Sequence, residues 1–187
     1  FDKTNKGPRS TFQLKLSETK RDFRVVKQAG RVSVFVGPVS GGGFSGEWSF
    51  TFYPGTALIH AAAEVRTEKN AKAILYDAGL CASEPGWDRI AWLDNHDQWQ
   101  KSPGTGDATA MAVRQRSVIA ECGPGRVAVF PPPHRFFYPL DYSNNLKFAW
   151  HGRGLKGTEA PAGFGIRQEP EGDRRWVPWF NAPPGAV

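Results

Sequence analysis

The chain has 187 residues, of which 40% are hydrophobic and 22% are charged, and its formal net charge is +6. This composition is ordinary for a globular protein and excludes a mainly disordered chain. No apolar run approaches the roughly 18 residues that a membrane-spanning helix needs, so we expect no membrane partner. The 21 glycines and 15 prolines interrupt the chain every few residues, which favours short strands and turns over long helices.

The positive charge is concentrated near the N-terminus. Residues 1–30 hold eight basic and three acidic side chains, whereas the charges of the remaining residues nearly cancel. A nucleic-acid-binding domain spreads its basic residues along a groove or a helix and often carries a recognisable signature, and we find neither. We therefore interpret the basic segment as a solvated edge and expect no nucleic-acid partner.

Alternation of polar and apolar residues predicts a series of short strands. Trp48, Phe50 and Phe52 form the clearest amphipathic strand, which ends at the turn-forming sequence Tyr53-Pro54. Residues 56–67 allow a strand or an alanine-rich helix, and we choose the strand because both neighbouring segments are predicted strands. The other predicted strands cover residues 11–16, 31–36, 72–77, 88–93, 110–121, 126–130, 146–150, 164–168 and 175–180.

Turn residues define how these strands are connected. Residues 115–130 form a predicted β-hairpin around Gly123-Pro124-Gly125, and residues 94–97 and 100–107 are predicted loops. Connections this short cannot hold crossover helices, so the strands are expected to be mostly antiparallel. We predict an all-β fold, an antiparallel two-sheet β-sandwich of roughly ten to twelve strands that forms one domain over residues 1–187. A jelly-roll or cupin-like barrel is the alternative.

The two cysteines leave two interpretations open. Cys81 and Cys122 allow one disulfide in an exported protein, or two buried thiols that act as small hydrophobic residues. The chain begins without methionine and ends near the sequence Pro183-Pro184-Gly185, which indicates a mature or partial chain with a linker to a neighbouring domain.

The most unusual segment covers residues 131–142. Three prolines precede His134, and Tyr138 follows among several aromatic residues. Prolines hold nearby side chains in place at low entropic cost, so this segment is suited to line a saccharide site. The alternative is a proline-rich crossover whose aromatic residues cover an open end of the sandwich.

A second candidate segment contains Trp150 and His151, followed by Arg153 between two glycines. Glycines on both sides let the backbone bend, which would bring the Arg153 guanidinium to a carboxylate or phosphate of a ligand. The alternative is a strand that ends in a flexible turn.

A third group combines arginine with tryptophan and consists of Arg167, Arg175, Trp176 and Trp179. This combination suits cation–π stacking and the recognition of acidic sugars. An ordinary edge strand with arginines on its outer face explains it equally well.

Nothing in the sequence indicates a metal site. None of the four histidines, His60, His96, His134 and His151, lies in a close ligand pattern such as H-x-H or H-E-x-x-H. The polar residues 94–97 could supply ligands, but an exposed loop explains them without a metal. No phosphate-binding loop is present, and the cofactor, if there is one, is unknown.

Residues 116–182 resemble a known type of module. The sequences VAVFPPPHRFFYPLDY, WHGRG and GFGIRQEPEGDRRWVPWFNAPPG within and around this stretch are similar to a β-sandwich module of large exported bacterial proteins of unassigned function. The resemblance implies a modular and exported β-sandwich. It assigns no catalytic residue.

Our first functional hypothesis is a carbohydrate-related module that is secreted or periplasmic. Such a module binds a polysaccharide or an acidic saccharide, or supports a neighbouring catalytic domain. It predicts one exposed patch of tryptophans, with Trp87, Trp150, Trp176 and Trp179 as candidates.

Two alternatives remain. An enzyme acting on polysaccharide by acid–base or metal-dependent chemistry would use a cation to neutralise a uronate and a His or Tyr to take the α-proton. Its candidate catalytic residues are His134, His151, Tyr138 and Arg153. A purely structural or interaction domain would instead bury its aromatic residues.

Overall fold

The computed structural model describes residues 10–82, 86–132, 149–155, 161–167 and 180–187. These ranges hold fifteen β-strands and no helix, which confirms the predicted all-β fold. The named strands pair in antiparallel sheets that do not close into a barrel, so the barrel given as the alternative is wrong. Within these ranges no helix is long and apolar enough to cross a membrane.

The described chain divides into two compact units. Unit I consists of the described residues within 10–74 and of residues 180–187, and unit II consists of the described residues within 75–167. The single domain over residues 1–187 stays a prediction.

Unit I is built on a five-stranded sheet, which we call sheet A. Its main path is β1-β3-β4-β5, and β2 pairs with β3 on the same side as β1. The strands are β1 (Lys15–Leu16), β2 (Asp22–Gln28), β3 (Arg31–Gly41), β4 (Phe44–Phe52) and β5 (Ile59–Arg66). A separate two-stranded sheet, which we call sheet B, completes the unit. Its strands are β6 (Lys72–Ile74) and β15 (Phe180–Ala182).

The alternation in β3 and β4 determines the apolar face of sheet A. Three valines of β3 lie directly opposite the three aromatic residues that predicted the β4 strand, so all six share one face. The opposed pairs are Val32 with Phe52, Val34 with Phe50, and Val36 with Trp48. On the other face the hydroxyl groups of Ser33 and Thr51 form a 2.8 Å hydrogen bond.

In this unit the sequence analysis predicted the ambiguous segment correctly and missed one strand. Residues 59–66 form β5, so the choice of strand over helix for 56–67 was right. The segment 22–28 was not predicted as a strand, because its charged residues obscure the alternation, yet it forms the edge strand β2. The basic side chains near this edge are exposed, as expected for a solvated edge: Lys15, Lys20, Arg21, Arg24 and Lys27.

Unit II contains two four-stranded sheets. Sheet C has the order β10-β13-β14-β7, and sheet D has the order β12-β11-β8-β9. The strands of sheet C are β7 (Asp77–Cys81), β10 (Thr109–Met111), β13 (Ala149–Gly152) and β14 (Gly163–Arg167). The strands of sheet D are β8 (Arg89–Leu93), β9 (Trp99–Ser102), β11 (Val118–Cys122) and β12 (Gly125–Val129).

Both sheets of unit II contribute to one core, which gives this unit the sandwich arrangement. Phe164 of sheet C is fully buried, and the ring of Trp87 meets its ring edge-on at 5.0 Å between centroids. This edge-to-face geometry is the arrangement that aromatic rings prefer. The buried cluster comprises Ile90, Met111, Val113, Val118, Ala120, Ala149 and Phe164.

The continuous strand predicted over residues 110–121 is wrong. β10 ends at Met111 in sheet C, and β11 begins at Val118 in sheet D. The apolar residues of both strands enter the same core from opposite sheets, so their pattern alone does not reveal the change of sheet. Similarly, the first residues of the predicted loop 100–107 belong to β9. The predicted hairpin is confirmed, since β11 and β12 pair from Val118 to Val129.

The loop at residues 94–97 is a turn held by one carboxylate. Asp94 accepts hydrogen bonds from the backbone N–H of Gln98 (2.9 Å) and of His96 (2.8 Å), and from the side chain of Gln100 (2.7 Å). These bonds, led by the one from Gln98, lower the pKa of Asp94. The turn explains the polar residues here.

The cysteines match neither interpretation. Cys81 and Cys122 are free thiols, and both residues are exposed. Cys81 lies on β7 at the edge of sheet C, and Cys122 lies at the end of β11 in sheet D. Partial burial of its thiol nevertheless raises the pKa of Cys81.

We expect both thiols to react with a thiol reagent in the folded protein, without reductant. Cys81 should react slowly for an exposed thiol, because its raised pKa leaves little thiolate at neutral pH. Rates measured on Cys81→Ser and Cys122→Ser separate the two sites. A protein without reactive thiols until it is reduced would contradict the expectation.

We expect Phe164→Ala to lower the free energy of unfolding by about 3–5 kcal/mol, because it leaves a cavity in the core of unit II. Urea unfolding followed by circular dichroism measures the change. Phe130→Ala is the matched control, since Phe130 is half exposed. A loss no larger than that of the control would contradict the assigned core.

Candidate functional site

An open depression of about 640 Å³ lies on sheet A of unit I. Its lining includes the aromatic residues Phe23 and Phe35 and backbone near Gly37 and Gly46. Charged side chains of both signs surround it: Lys20, Asp22, Arg24, Glu47, Glu64 and Arg66.

The strand register places two carboxylates of this depression side by side. Glu47 of β4 lies directly opposite Glu64 of β5. Side chains at such positions start from Cβ atoms roughly 4.5–5.5 Å apart, and like charges there destabilise a sheet. This arrangement costs the sheet some stability, and unfavourable arrangements of this kind are typical of functional sites.

A β-bulge brings the backbone of β3 close to Glu47. The pairing of β3 with β4 shifts between Val36 and Val39, so that Gly37 and Pro38 lie beside Glu47. A Cβ atom at Gly37 would approach the Cβ of Glu47 to 3.1 Å and the carbonyl oxygen of Gly46 to 3.3 Å. A glycine therefore suits this position, because a side chain here would crowd β4.

Arg24 organises the charges on one side of the depression. Its guanidinium donates a 2.9 Å hydrogen bond to the Glu47 carboxylate and lies 3.7 Å from the centroid of the Phe35 ring. Nearby, the ammonium group of Lys20 is 3.5 Å from the carboxylate of Asp22. No ion pair of Glu64 or Arg66 occurs within the described ranges, so these two side chains can turn towards a ligand.

The predicted site residue His151 lies inside unit II. It is on the inner face of β13, two residues after the core residue Ala149, and its ring packs against Trp92 of sheet D with 5.5 Å between centroids and an angle of 35° between the planes. Burial lowers the pKa of His151, so the ring is neutral at physiological pH. Its Nδ1 atom has no hydrogen-bond partner in the described chain. Its catalytic role stays a prediction.

Trp150 points to the opposite face of sheet C and is buried there. It lies opposite Gly165 of β14, and its ring reaches the neighbouring Gly163, where an added Cβ would come within 2.9 Å of the ring. The indole therefore packs on glycines of its own sheet. The half-buried Trp87 also packs within the unit, against Phe164.

Arg153 is exposed just after β13, between two glycines with positive φ, Gly152 (117°) and Gly154 (65°). Its backbone N–H donates to Gly106 and its carbonyl accepts from Ala108, each at 2.8 Å. The backbone bends here as the glycines predict, and these two hydrogen bonds hold the bend in place.

Arg167 also belongs to the predicted ligand-binding group. In the structure it forms an ion pair. It is opposite Asp77 of β7, and its Nε atom is 3.6 Å from the Asp77 carboxylate. Both side chains are largely buried, so each charge is compensated inside the protein.

A half-buried tyrosine lies close to a buried arginine in the same unit. Desolvation raises the pKa of Tyr76 to about 12, although the positive charge of Arg116 partly opposes this shift. Tyr76 is therefore protonated at physiological pH and acts as a hydrogen-bonding group rather than as a base.

The other predicted site residues cannot be compared with the fold. His134, Tyr138, Arg175, Trp176 and Trp179 lie outside the described residues. Of the remaining histidines, His60 is exposed on β5 and His96 is exposed in the turn after β8. No group of His, Cys, Asp or Glu within the described ranges is arranged to hold a metal ion.

The sequence analysis missed the charged depression entirely. Its residues lie on four strands or their flanks, and one of those strands, β2, was not predicted. The available signal was the sequence Gly37-Pro38 directly after an alternating valine strand, since glycine and proline within a strand often mark a bulge.

Comparison with known proteins gives no relative. No protein-family model, no curated protein and no solved structure matches this chain. The resemblance to an exported β-sandwich module therefore stays a prediction.

We expect His151 to make the protein less stable in mild acid. The unfolded chain protonates this side chain near its ordinary pKa of 6.5, whereas the folded chain does so only at lower pH. Its contribution to stability is therefore fully present above about pH 6.5 and falls as the pH drops through that value. In His151→Phe, the free energy of unfolding should fall less between about pH 7.5 and about pH 5.

Urea unfolding at both pH values tests this expectation, with His96→Phe as the control. Equal losses in the wild-type protein and in His151→Phe would contradict the burial of a neutral imidazole.

Proposed function

We propose that this chain is a non-catalytic carbohydrate-binding module and that the depression on sheet A binds a saccharide. The observation that supports this most directly is the opposed pair Glu47 and Glu64 on the face of sheet A that lines the depression. Carboxylates accept hydrogen bonds from sugar hydroxyls, and guanidinium groups such as that of Arg66 donate to them. The ring of Phe35, which lies on the same face, adds an apolar surface for the C–H face of a sugar.

The balance of charge favours a neutral saccharide over an acidic one. Among the described residues of the lining, three side chains are basic and three are acidic, so a uronate would meet as many of these carboxylates as cations. The ligand that we propose is therefore a neutral saccharide, whereas the sequence analysis also allowed an acidic one.

The exposure of the carboxylates supports binding rather than catalysis. Acid–base chemistry near neutral pH requires a carboxyl group that is withdrawn from water. The side chains of Asp22 and Glu47 are 70% and 36% exposed. The described residues of the lining include no His or Tyr. Since extracellular polysaccharides are the ligands of such modules, we also propose that the protein is secreted or periplasmic and supports a neighbouring catalytic domain.

We expect Glu64→Ala and Arg66→Ala each to weaken saccharide binding about tenfold, because each removes a charge-assisted hydrogen bond. Affinity gel electrophoresis with soluble glucan, mannan and xylan measures retention, and polygalacturonate is the acidic comparison. Glu68→Ala is the matched control, because Glu68 is exposed and lies outside the lining.

Retention by a neutral polysaccharide that falls in both variants and not in the control supports the proposal. Absence of retention on every polymer would refute it. Stronger retention on polygalacturonate than on the neutral polymers would refute the argument from charge.

A further inference from the structure

Four large apolar side chains are exposed at the hairpin that joins β4 to β5, and we call this cluster the apolar tip. The exposed fractions are 41% for Phe52, 37% for Tyr53, 55% for Leu58 and 57% for Ile59. Single exposed apolar residues are ordinary on protein surfaces, but a cluster of this size is typical of an interaction site.

The hairpin holds the apolar tip in one conformation. The backbone N–H of Thr56 donates to the carbonyl of Tyr53 at 3.2 Å, and Gly55 has a φ of 78°, which is the geometry of a type II turn with Pro54 at its second position. The N–H of Leu58 donates to the Thr56 hydroxyl at 3.2 Å. The apolar side chains are thus presented at little further entropic cost.

The charged residues of the two described hairpins at this end of sheet A are all basic. The register places Lys27 of β2 in the same row as Phe52 and Ile59, and Arg31 follows at the start of β3. Both basic residues are exposed. The two hairpin segments that form this end of sheet A, residues 26–33 and 51–60, contain no Asp or Glu.

We propose that this end of sheet A binds the surface of an anionic lipid bilayer, with the apolar tip entering the headgroup region and Lys27 and Arg31 contacting lipid phosphates. The four apolar side chains lie in and beside one turn, which suits insertion into a soft interface. The aromatic rings of Phe52 and Tyr53 suit the depth at which a bilayer changes from polar to apolar. Anionic lipids attract each nearby basic residue.

The proposal departs from the expectation of no membrane partner. That expectation rested on the lack of an apolar run long enough to span a bilayer. Binding at the interface requires only an apolar surface flanked by basic residues. It is also independent of the proposed saccharide site, since no residue of the apolar tip lines the depression.

Co-sedimentation of the full chain with vesicles tests the proposal. Vesicles of phosphatidylcholine mixed with phosphatidylserine should bind the protein, and pure phosphatidylcholine vesicles should bind it much more weakly. Lys27→Gln and Arg31→Gln should each weaken binding about fivefold. Leu58→Gln combined with Ile59→Gln should weaken it at least about tenfold, because two apolar anchors are lost.

Control variants separate the apolar tip from general surface effects. Leu80→Gln removes a comparably exposed leucine, and Lys101→Gln removes an exposed lysine, both in unit II. Neither should change binding. Far-UV circular dichroism and a cooperative urea unfolding transition confirm that each tip variant is folded.

A second measurement locates the contact directly. Ala57→Cys in a background of Cys81→Ser and Cys122→Ser carries an environment-sensitive fluorophore at the apolar tip. Its emission should shift to the blue with the mixed vesicles, whereas the same label at Lys101→Cys should not respond.

Three results would overturn the proposal. The first is no binding to the mixed vesicles, and the second is binding that the tip variants leave unchanged. The third is concentration-dependent self-association that Leu58→Gln abolishes while the vesicles have no effect, which would identify a second copy of the chain as the partner.

Discussion

Residues directly opposite each other on neighbouring antiparallel strands must share a face of the sheet. This constraint determines on which face of sheet A the side chain of each paired residue lies. The register that sets Val34 against Phe50 collects the apolar residues on one face. The same register brings Glu47 beside Glu64 on the other face. A shift of one residue would exchange the two faces and remove both the charged depression and the row that joins Lys27 to the apolar tip.

Local departures from regular geometry shape the depression. The bulge at Gly37 and Pro38 accommodates one extra residue beside Glu47, and the missing side chain at Gly37 lets β3 approach Glu47 closely. Arg24 compensates only one of the two opposed carboxylates. A sheet selected for stability alone would replace one of them with a neutral residue. The retained pair is the reason to place a function on this face of the sheet.

Unit II uses several of its most distinctive residues for packing. Trp150 lies on the glycines of β14, and Arg167 is neutralised by Asp77. His151 lies between the sheets against Trp92, where burial keeps it neutral. These residue types also occur in binding and catalytic sites, so the sequence did not distinguish the two uses. The difference depends on which face of a strand is covered, and that depends on how the sheets pack.

The sequence by itself determined the all-β class, the amphipathic strand that ends at Phe52, the strand choice for residues 59–66 and the hairpin around Gly123. Each of these depends on interactions between residues close together in the chain: alternation along a strand or the φ preference of a turn residue. Only the tertiary structure decided the change of sheet between Met111 and Val118 and the charged depression. Both depend on which distant strands become neighbours, and no local pattern encodes that pairing.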